Sequence, residues 1–342
     1  QEINYFRFPE HFSEKNFIFL SEKNRYALAE VLQKRDFDFV FSLSYFHEVS
    51  VFCNMLGVIY ISWIIEYPCM DLLRDSVLNP CNCFFISDKA EIERLQNTGV
   101  ANVFYLPSAA FEVGDFTKAK VDEFQYKASF MGKILLDDKE SPYGENSLLS
   151  ARCRGYLDGL VHCQRIVYGI DVLKDDIPSD VLLELKEKYP LKFPSDVRES
   201  MWHLYIKKWI LDQVTSQERL VLLQNVDLLT TIFTDNDEAW RFFSDVRKMP
   251  EEWKRKEIIL NSRINVHIAD RQIQKGIPWE VFEIMAHGGF LMSSFCEQIN
   301  EFFVENKEFV CFEDEHDLEN KIRNYIENEE ERLKITQNAY EK

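Results

Sequence analysis

The chain has 342 residues, a formal net charge of −18 and 46% hydrophobic residues. This length favours two domains over one, and the apolar content is sufficient for two cores. General binders of nucleic acid or of anionic membranes need a basic surface, so the acidic balance argues against both kinds of partner. A local basic pocket for a small phosphorylated ligand remains compatible with it.

Several of the eight cysteines lie inside apolar runs, where a free cysteine behaves as a small hydrophobic side chain. Cys81 and Cys83 form a C-x-C pair, but no second pair or nearby histidine follows at zinc spacing, so we predict no metal site. No run reaches the roughly 18–20 apolar residues of a membrane span, and no signal peptide is recognisable. We therefore expect a cytoplasmic protein without an integral membrane segment.

The first third of the chain alternates strand-like runs with helical segments. The strand-like runs are Asp36–Tyr45, Val58–Pro68, Cys81–Asp88 and Val100–Ala110, with helical segments at His47–Gly57 and Lys89–Gly99. Such alternation indicates βαβ units and a parallel sheet. We predict a Rossmann-like domain over residues 1–124. The chain begins without methionine, which leaves open whether this domain lacks its first strand.

The second part of the chain repeats the alternation after a polar linker. The strand-like runs are Lys127–Ile134, Asn225–Thr234, Arg263–Ala269, Gly288–Ser294 and Glu308–Glu313. Residues 148–220 have a mainly helical pattern, and the last 28 residues predict a C-terminal helical arm. The predicted fold class is therefore α/β, with two Rossmann-like domains (1–124 and 125–342) facing each other across a cleft, and a helical insertion in the second. Ligands of such sheets bind beyond the carboxyl ends of the strands.

A loop, a short helix and an apolar strand follow one another from Gly276. Pro278 suits the first turn of a helix, and Gly288 or Gly289 suits its end. The exposed N–H groups at the start of a helix form a natural phosphate site, and Gly276 permits close approach of a ligand. Glu283 on this helix could accept two hydrogen bonds from a ribose diol. Its alternative role is to stabilise the helix dipole.

These motifs resemble those of a known family. The segment is similar to the donor-binding region of GT-B glycosyltransferases, and most of all to the CgeB-like (spore-maturation type) proteins among the group 1 transferases. The motifs that carry the resemblance are Ser262–Asn265, Gly276–Pro278, Glu283–Met285 and Gly288–Phe290, preceded by Phe41–Phe46, Tyr60–Pro68, Asn79–Phe85 and Asn102–Ala110. It covers most of the chain except the helical stretch near residues 148–220.

The resemblance implies transfer of a hexose-type sugar from a nucleotide diphosphate sugar, with a UDP-sugar favoured, to a hydroxyl group of a protein or cell-surface glycan. It also implies retention at the anomeric carbon and no required metal or other cofactor. Glu283 matches the second glutamate of the E-x7-E motif, which binds the donor ribose. Lys275 stands where the first glutamate, which contacts the sugar, is expected.

Strand-end positions and the resemblance together define the candidate site. The candidate donor-binding residues are Gly132, Lys133, Arg263, Asn265, Arg271, Gly276, Ile277, Pro278, Glu283, Gly288 and Gly289, and the candidate catalytic residues are His47, Glu66 and Lys275. The two arginines suit diphosphate oxygens, although surface salt bridges would explain them equally well. A histidine or carboxylate after a strand suits a base or sugar contact, although a helix cap or packing is the alternative.

Other interpretations remain open. The sequence Asp235-Asn236-Asp237 could be a metal-binding D-x-D motif, but its place between a strand and a helical segment favours a helix N-cap. A nucleotide-sugar epimerase would have the same fold. A catalytically silent transferase-like subunit is the third interpretation, and it is motivated by Lys275 and the long acidic tail.

Overall fold

The structure is a computed structural model. It describes residues 11–14, 17–34, 37–110, 112–114, 124–134, 147–168, 171–173, 177–189, 195–197 and 202–342. The chain divides into two compact units: residues 1–107 with 191–204, which we call the N-terminal unit, and residues 108–190 with 205–342, the C-terminal unit. The domain boundary expected between residues 124 and 125 stays a prediction.

The N-terminal unit combines a small hairpin with a parallel sheet. Its elements are β1 (His11–Glu14), β2 (Phe17–Leu20), α1 (Glu22–Lys34), β3 (Phe39–Leu43), α2 (His47–Leu56), β4 (Ile59–Ile64), β5 (Asn82–Ile86), α3 (Lys89–Asn97) and β6 (Val103–Tyr105). In the described residues, β1 and β2 form an antiparallel pair, and β3-β4-β5-β6 form a sheet in chain order. Every neighbouring pair in this sheet is parallel.

The C-terminal unit contains a larger parallel sheet. Its elements are β7 (Tyr126–Met131), α4 (Ala151–Ile166), α5 (Ser179–Lys188), α6 (Trp202–Asn225, which begins in the N-terminal unit), β8 (Thr230–Thr234), β9 (Val246–Lys248), α7 (Arg255–Leu260), β10 (Ser262–His267), α8 (Trp279–Ala286), β11 (Leu291–Ser294), β12 (Val310–Phe312), α9 (Glu315–Glu327) and α10 (Glu329–Glu341). Over the described ranges the strand order is β12-β11-β10-β7-β8-β9, with all pairs parallel.

The order of this sheet reverses between β7 and β10. The chain runs from β7 outwards through β8 and β9, then returns to the other side of β7 and continues through β10, β11 and β12. The carboxyl ends of β7 and β10 therefore flank a topological switch point. In open parallel sheets this is the place where ligands bind.

Each sheet has its own apolar core. In the N-terminal unit, alternate residues of β4 face inward, so Tyr60 and Ile64 pack with Phe84 of β5. In the C-terminal unit, Phe130 of β7 and Ile264 of β10 are fully buried. The expectation of two parallel α/β sheets is confirmed by this arrangement.

The structure also differs from the sequence-based description. The hairpin β1–β2, helix α1 and the short strand β9 have no counterpart in it. The C-terminal arm is two helices, because Asn328 interrupts the helical backbone and its side chain accepts a hydrogen bond from the Glu331 N–H at 3.4 Å. Among the described residues, no helix is both long and apolar enough to cross a bilayer.

The end of α2 provides a test of the backbone geometry. Gly57 has a φ of 71°, and a Cβ atom placed there would meet nothing within 4 Å. We expect Gly57→Ala to lower the free energy of unfolding by about 1 kcal/mol, because L-residues disfavour the left-handed region. Gly57→Asn should cost less, since asparagine tolerates this conformation. Thermal unfolding followed by circular dichroism measures the stability of both variants. Equal losses of stability in the two variants would contradict the role assigned to the left-handed backbone of Gly57.

Candidate active site

A small pocket lies at the carboxyl ends of β7 and β10, at the switch point. It is lined by Ser129, Met131, Arg255, Asn265, Val266, His267, Glu280 and Ile284. These residues come from β7, β10, and the helices α7 and α8. The pocket has room for about one water molecule, so a larger ligand would have to extend outward from it across the strand ends.

Arg219 of α6 joins the two loops that flank the switch point. Its Nη1 donates a hydrogen bond to the Lys133 carbonyl at 2.7 Å, after β7, and its Nη2 donates to the Ile268 carbonyl at 2.9 Å, after β10. The guanidinium also lies over the Phe130 ring, 5.7 Å from its centre. Arg219 therefore fixes the spacing between the ends of the two strands.

Within the described residues, the charge of this guanidinium is not neutralised by an ion pair. Arg219 is only 8% exposed, and no carboxylate of the described ranges forms an ion pair with it. Removing a charge from water costs several kcal/mol unless it is paired. Here carbonyl dipoles, an aromatic face and the longer-range attraction of Glu280 on α8 balance it. The exposed Lys133 adds a second positive charge at the same edge. The switch point is therefore a favourable place for an anion.

His267, the last residue of β10, lies beside this positive charge. The Ser293 hydroxyl donates to the Ser294 carbonyl at 3.0 Å, so it accepts a hydrogen bond from His267 Nδ1 at 3.0 Å. Burial, and secondly the charge of Arg219, lower the pKa of His267 to about 3. The ring is therefore neutral at physiological pH, with Nε2 as a hydrogen-bond acceptor.

Glu283 lies on α8, where its carboxylate is held by an arginine. Arg255 donates from Nε at 3.0 Å to one carboxylate oxygen and from Nη2 at 2.7 Å to the other. Glu283 is 8% exposed, and the Arg255 guanidinium also covers the Trp279 ring at 4.9 Å. A ribose diol that binds to Glu283 would share the carboxylate with Arg255.

The start of α8 is buried and carries no side-chain cap. Gly276, Ile277 and Pro278 are all buried, and the Cys296 thiol donates to the Gly276 carbonyl at 3.4 Å. Glu280 in the first turn is half-buried, and the loss of water around its carboxyl group raises its pKa. An ionised Glu280 would oppose a phosphate here, so the edge formed by Lys133 and Arg219 is the more favourable anion site. Lys275, just before this loop, is exposed.

Some of the predicted donor-binding residues lie elsewhere. Arg263 is at the amino end of β10, where it donates to the Ile326 carbonyl at 3.2 Å. Arg271 follows β10, but Glu218 holds its guanidinium with two hydrogen bonds, at 2.7 and 3.0 Å, and the Tyr168 ring covers it at 3.7 Å. The structure thus does not bring Arg263 to the switch point, and Arg271 is already neutralised.

Four further predicted residues have packing roles in the structure. Gly288 has a φ of 74° and ends α8. A Cβ atom on Gly289 would lie 2.5 Å from an Ile259 methyl group, and one on Gly132 would lie 2.5 Å from the Phe130 ring. Asn265 lines the pocket, but its amide group donates to backbone carbonyls, at 3.3 and 3.4 Å.

The remaining catalytic candidates lie in the N-terminal unit. His47 begins α2, and its Nδ1 is 2.8 Å from Ser76 Oγ and 3.3 Å from Asp196 Oδ2. Burial, and secondly the charge of Arg74, lower the pKa of His47 to about 4. Glu66 follows β4 and is exposed.

The sequence Asp235-Asn236-Asp237 forms a turn in which the asparagine is the structural residue. Its side chain accepts a hydrogen bond from the Glu238 N–H at 2.9 Å and donates to the Ile134 carbonyl at 2.8 Å. In the part of the chain that the structure describes, no three histidine, cysteine, aspartate or glutamate side chains are grouped as a metal site.

The last part of the chain is similar to a known protein family. Residues 246–342 match the model described as "Glycosyl transferase-like". This segment is similar to glycosyl transferase-like domains. It contains β10, α8 and β11, and with them Glu283 and one side of the switch point. The match covers 97 of the 342 residues, and the CgeB-like subtype stays a prediction. A comparison of the whole sequence with curated proteins gave no match.

Solved structures similar to this chain include TarM, with a TM-score of 0.47 and 10% identity over 95% of this chain and 55% of TarM. Another is HepE of Anabaena in complex with UDP-glucose, with a TM-score of 0.44 and 10% identity over 92% of this chain and 76% of HepE. A third is a putative UDP-N-acetylglucosamine 2-epimerase from Listeria monocytogenes, with a TM-score of 0.39 and 11% identity over 93% of this chain and 74% of that chain. This chain thus spans little more than half the length of TarM, and similarity at this level carries no functional conclusion.

Four residues that contribute to the two sites were not predicted from the sequence. His267 could have been found, because it ends a strand at the switch point. Arg219 gave no signal, since it lies within a long helix far from any strand end in sequence. Arg74 and Asp196 likewise had no motif, because they are 122 positions apart and meet only in the fold.

The two buried histidines generate a pH prediction. Their pKa values, about 4 and about 3, are below the ordinary value of 6.5. Between pH 6.5 and 4 the unfolded chain therefore binds more protons, and stability should fall as the pH falls through this window. We expect His47→Gln to make the dependence of the melting temperature on pH shallower between pH 6.5 and 5. His316→Gln, on an exposed side chain, should retain the wild-type slope. An unchanged slope for His47→Gln would contradict the assignment.

Proposed function

We propose that the protein is a glycosyltransferase of the GT-B type, which transfers a hexose-type sugar from a nucleotide diphosphate sugar to an acceptor hydroxyl. The similarity of residues 246–342 to glycosyl transferase-like domains supports the class of reaction. The observation that supports a diphosphate ligand is the buried Arg219 at the switch point. Among the described residues, this side chain forms no ion pair with a carboxylate. A diphosphate would supply the missing negative charge.

The proposed reaction depends mainly on electrostatic stabilisation. As the bond between the sugar and the diphosphate breaks, negative charge grows on the leaving group. Fixed positive groups stabilise such charge without reorganising during the reaction. Lys133 and Arg219 would provide them at the carboxyl end of β7. Glu283 would bind the ribose.

The finer features of the proposal come from the family resemblance. We propose a UDP-sugar as donor, a protein or cell-surface glycan as acceptor, retention at the anomeric carbon and a cytoplasmic location. No metal or other cofactor is required in this proposal. We propose His47 and Glu66 of the N-terminal unit as acceptor-side residues, and the exposed Lys275 as a donor-side residue.

A second candidate function is a catalytically silent transferase-like subunit. Two observations favour it: an exposed lysine occupies the position expected for the sugar-contacting glutamate, and Arg255 already occupies the Glu283 carboxylate. Such a subunit would bind an active glycosyltransferase and show no turnover of its own. Turnover of a nucleotide sugar by the purified chain with an acceptor separates the two functions.

The ligand class is tested by calorimetry with UDP, GDP, UDP-glucose and GDP-mannose. We expect at least one of them to bind, and Lys133→Met to weaken that binding about tenfold, which corresponds to about 1.4 kcal/mol. Lys133 is suited to this test because its side chain is exposed, so its loss should not disturb the core. By contrast, Glu283→Ala would leave the buried Arg255 unpaired and would confound binding with stability.

Lys127→Met is the matched control. Lys127 is also exposed, but it lies near the amino end of β7, whereas Lys133 follows the carboxyl end of this strand. We expect it to bind the nucleotide with wild-type affinity. The absence of binding to every nucleotide diphosphate, or equal weakening by both lysine variants, would refute the proposed site.

A further inference from the structure

His47 lies in a network of polar side chains at the carboxyl ends of β3 and β4. Asp196 approaches its Nδ1 at 3.3 Å, and Ser76 Oγ approaches the same nitrogen at 2.8 Å. The Tyr45 hydroxyl donates to Ser76 Oγ at 2.7 Å. Among the described residues, no group forms a hydrogen bond with the other ring nitrogen, Nε2, and the His47 side chain is 17% exposed.

Asp196 is fixed independently of His47. Arg74 donates from Nε to Oδ2 at 2.7 Å and from Nη2 to Oδ1 at 3.0 Å, so a bidentate guanidinium holds the carboxylate. The backbone carbonyl of Asp196 accepts a hydrogen bond from the Asp75 N–H at 3.0 Å. An isolated antiparallel β-bridge between Arg74 and Val197 adds a third attachment, through the backbone. The carboxylate is therefore held in place before any ligand binds.

The two neighbours of Nδ1 differ in what they can donate. The Ser76 hydroxyl can donate or accept a hydrogen bond, whereas an ionised carboxylate can only accept. Burial by itself would raise the pKa of Asp196, but the hydrogen bond with Arg74 and the charge of Arg74 together lower it, so the group is ionised at neutral pH. An unprotonated Nδ1 would face this carboxylate with its lone pair, which is repulsive. The carboxylate therefore favours the proton of a neutral His47 on Nδ1, where Ser76 Oγ at 2.8 Å can accept it.

We propose that Asp196 is a positioning residue: it holds His47 in the tautomer with the proton on Nδ1, so that Nε2 accepts a hydrogen bond from a hydroxyl group of a sugar ligand. The charged groups around the ring are Asp71, Arg74 and Asp196, with Arg25 acting at longer range. The ligand half of this proposal rests on the proposed function. The tautomer half does not, because it follows from the ligand-free N-terminal unit.

The tautomer is tested by long-range 1H–15N correlation spectra of protein labelled with 15N-histidine. Protonated and unprotonated ring nitrogens have well-separated 15N shifts, and His47→Gln identifies the resonances of His47 by their loss. We expect the wild type to show a protonated Nδ1 and an unprotonated Nε2 at pH 7. A wild-type spectrum with the proton on Nε2 would overturn the proposal without any variant.

Two substitutions then identify the group that sets the tautomer. Asp196→Ala removes the acceptor and frees Ser76 to donate to Nδ1, so the proton should move to Nε2. Asp196→Asn, which keeps the shape of the side chain, serves if the alanine variant does not fold around the buried Arg74. Ser76→Ala should leave the proton on Nδ1. A loss of the Nδ1 proton in Ser76→Ala, or its persistence in both Asp196 variants, would show that Asp196 does not set the tautomer.

Turnover of UDP-glucose tests the ligand half of the proposal, that His47 Nε2 accepts a hydrogen bond from a sugar hydroxyl. We expect Asp196→Asn to lower kcat/KM about tenfold, the effect of losing one well-placed hydrogen bond. Asp245→Asn, which alters another arginine-paired aspartate in the C-terminal unit, is the control and should retain wild-type kcat/KM. Unchanged turnover in an Asp196 variant that has lost the Nδ1 proton would overturn the ligand half. Absent turnover in the wild type would count against the proposed function, while the spectra would still decide the role of Asp196.

Discussion

The hydrogen bonds of Arg219 to two backbone carbonyls are the constraint on which the C-terminal site depends. β7 and β10 are neighbours in the sheet, and the guanidinium connects the two carbonyls that follow the strands. A neutral side chain of the same length could not donate to both with charge-assisted strength. The geometry of the site and its positive potential thus come from one side chain. This makes Arg219 a poor target for separating structure from ligand binding, and Lys133 a better one.

The buried arginines of the two units differ in their hydrogen-bond partners. In the N-terminal unit, Arg74 is paired with Asp196 and fixes the position of this carboxylate, while its charge contributes to the lowered pKa of His47. In the C-terminal unit, Arg219 has carbonyl partners only, and its charge reaches His267 strongly enough to lower the pKa of that ring. The chain as a whole carries a charge of −18. Positive potential at one strand edge is therefore a local property, which the overall charge would not reveal.

The sequence predicts features that depend on residues close to one another along the chain. Alternating strands and helices place the four strands β3 to β6 correctly, because each is an apolar run bounded by a helix or a turn signal. The helix after Pro278 and its end at Gly288 follow from the same local chemistry. The short β9 escapes prediction, since exposed charged residues fill most of its three positions.

Side-chain roles could be predicted less well than elements. Glu283 and Arg271 were singled out for their chemistry, but their partners, Arg255 and Glu218, come from other helices and decide whether the charge is available. Lys275 could be recognised as a departure from a motif, yet its exposure depends on how the loop before α8 lies. Such pairings depend on tertiary contacts that no spacing along the chain encodes.

The segment 191–204 belongs to the N-terminal unit, although the sequence on both sides of it belongs to the C-terminal unit. The polypeptide therefore passes from one unit to the other three times, and no single cut yields two complete halves. A fragment that stops before this segment would lose Asp196 and leave the guanidinium of Arg74 without its carboxylate. Because residues 191–204 lie within the sequence of the C-terminal unit, neither unit can be replaced by a homologous one through the exchange of a single continuous stretch of chain.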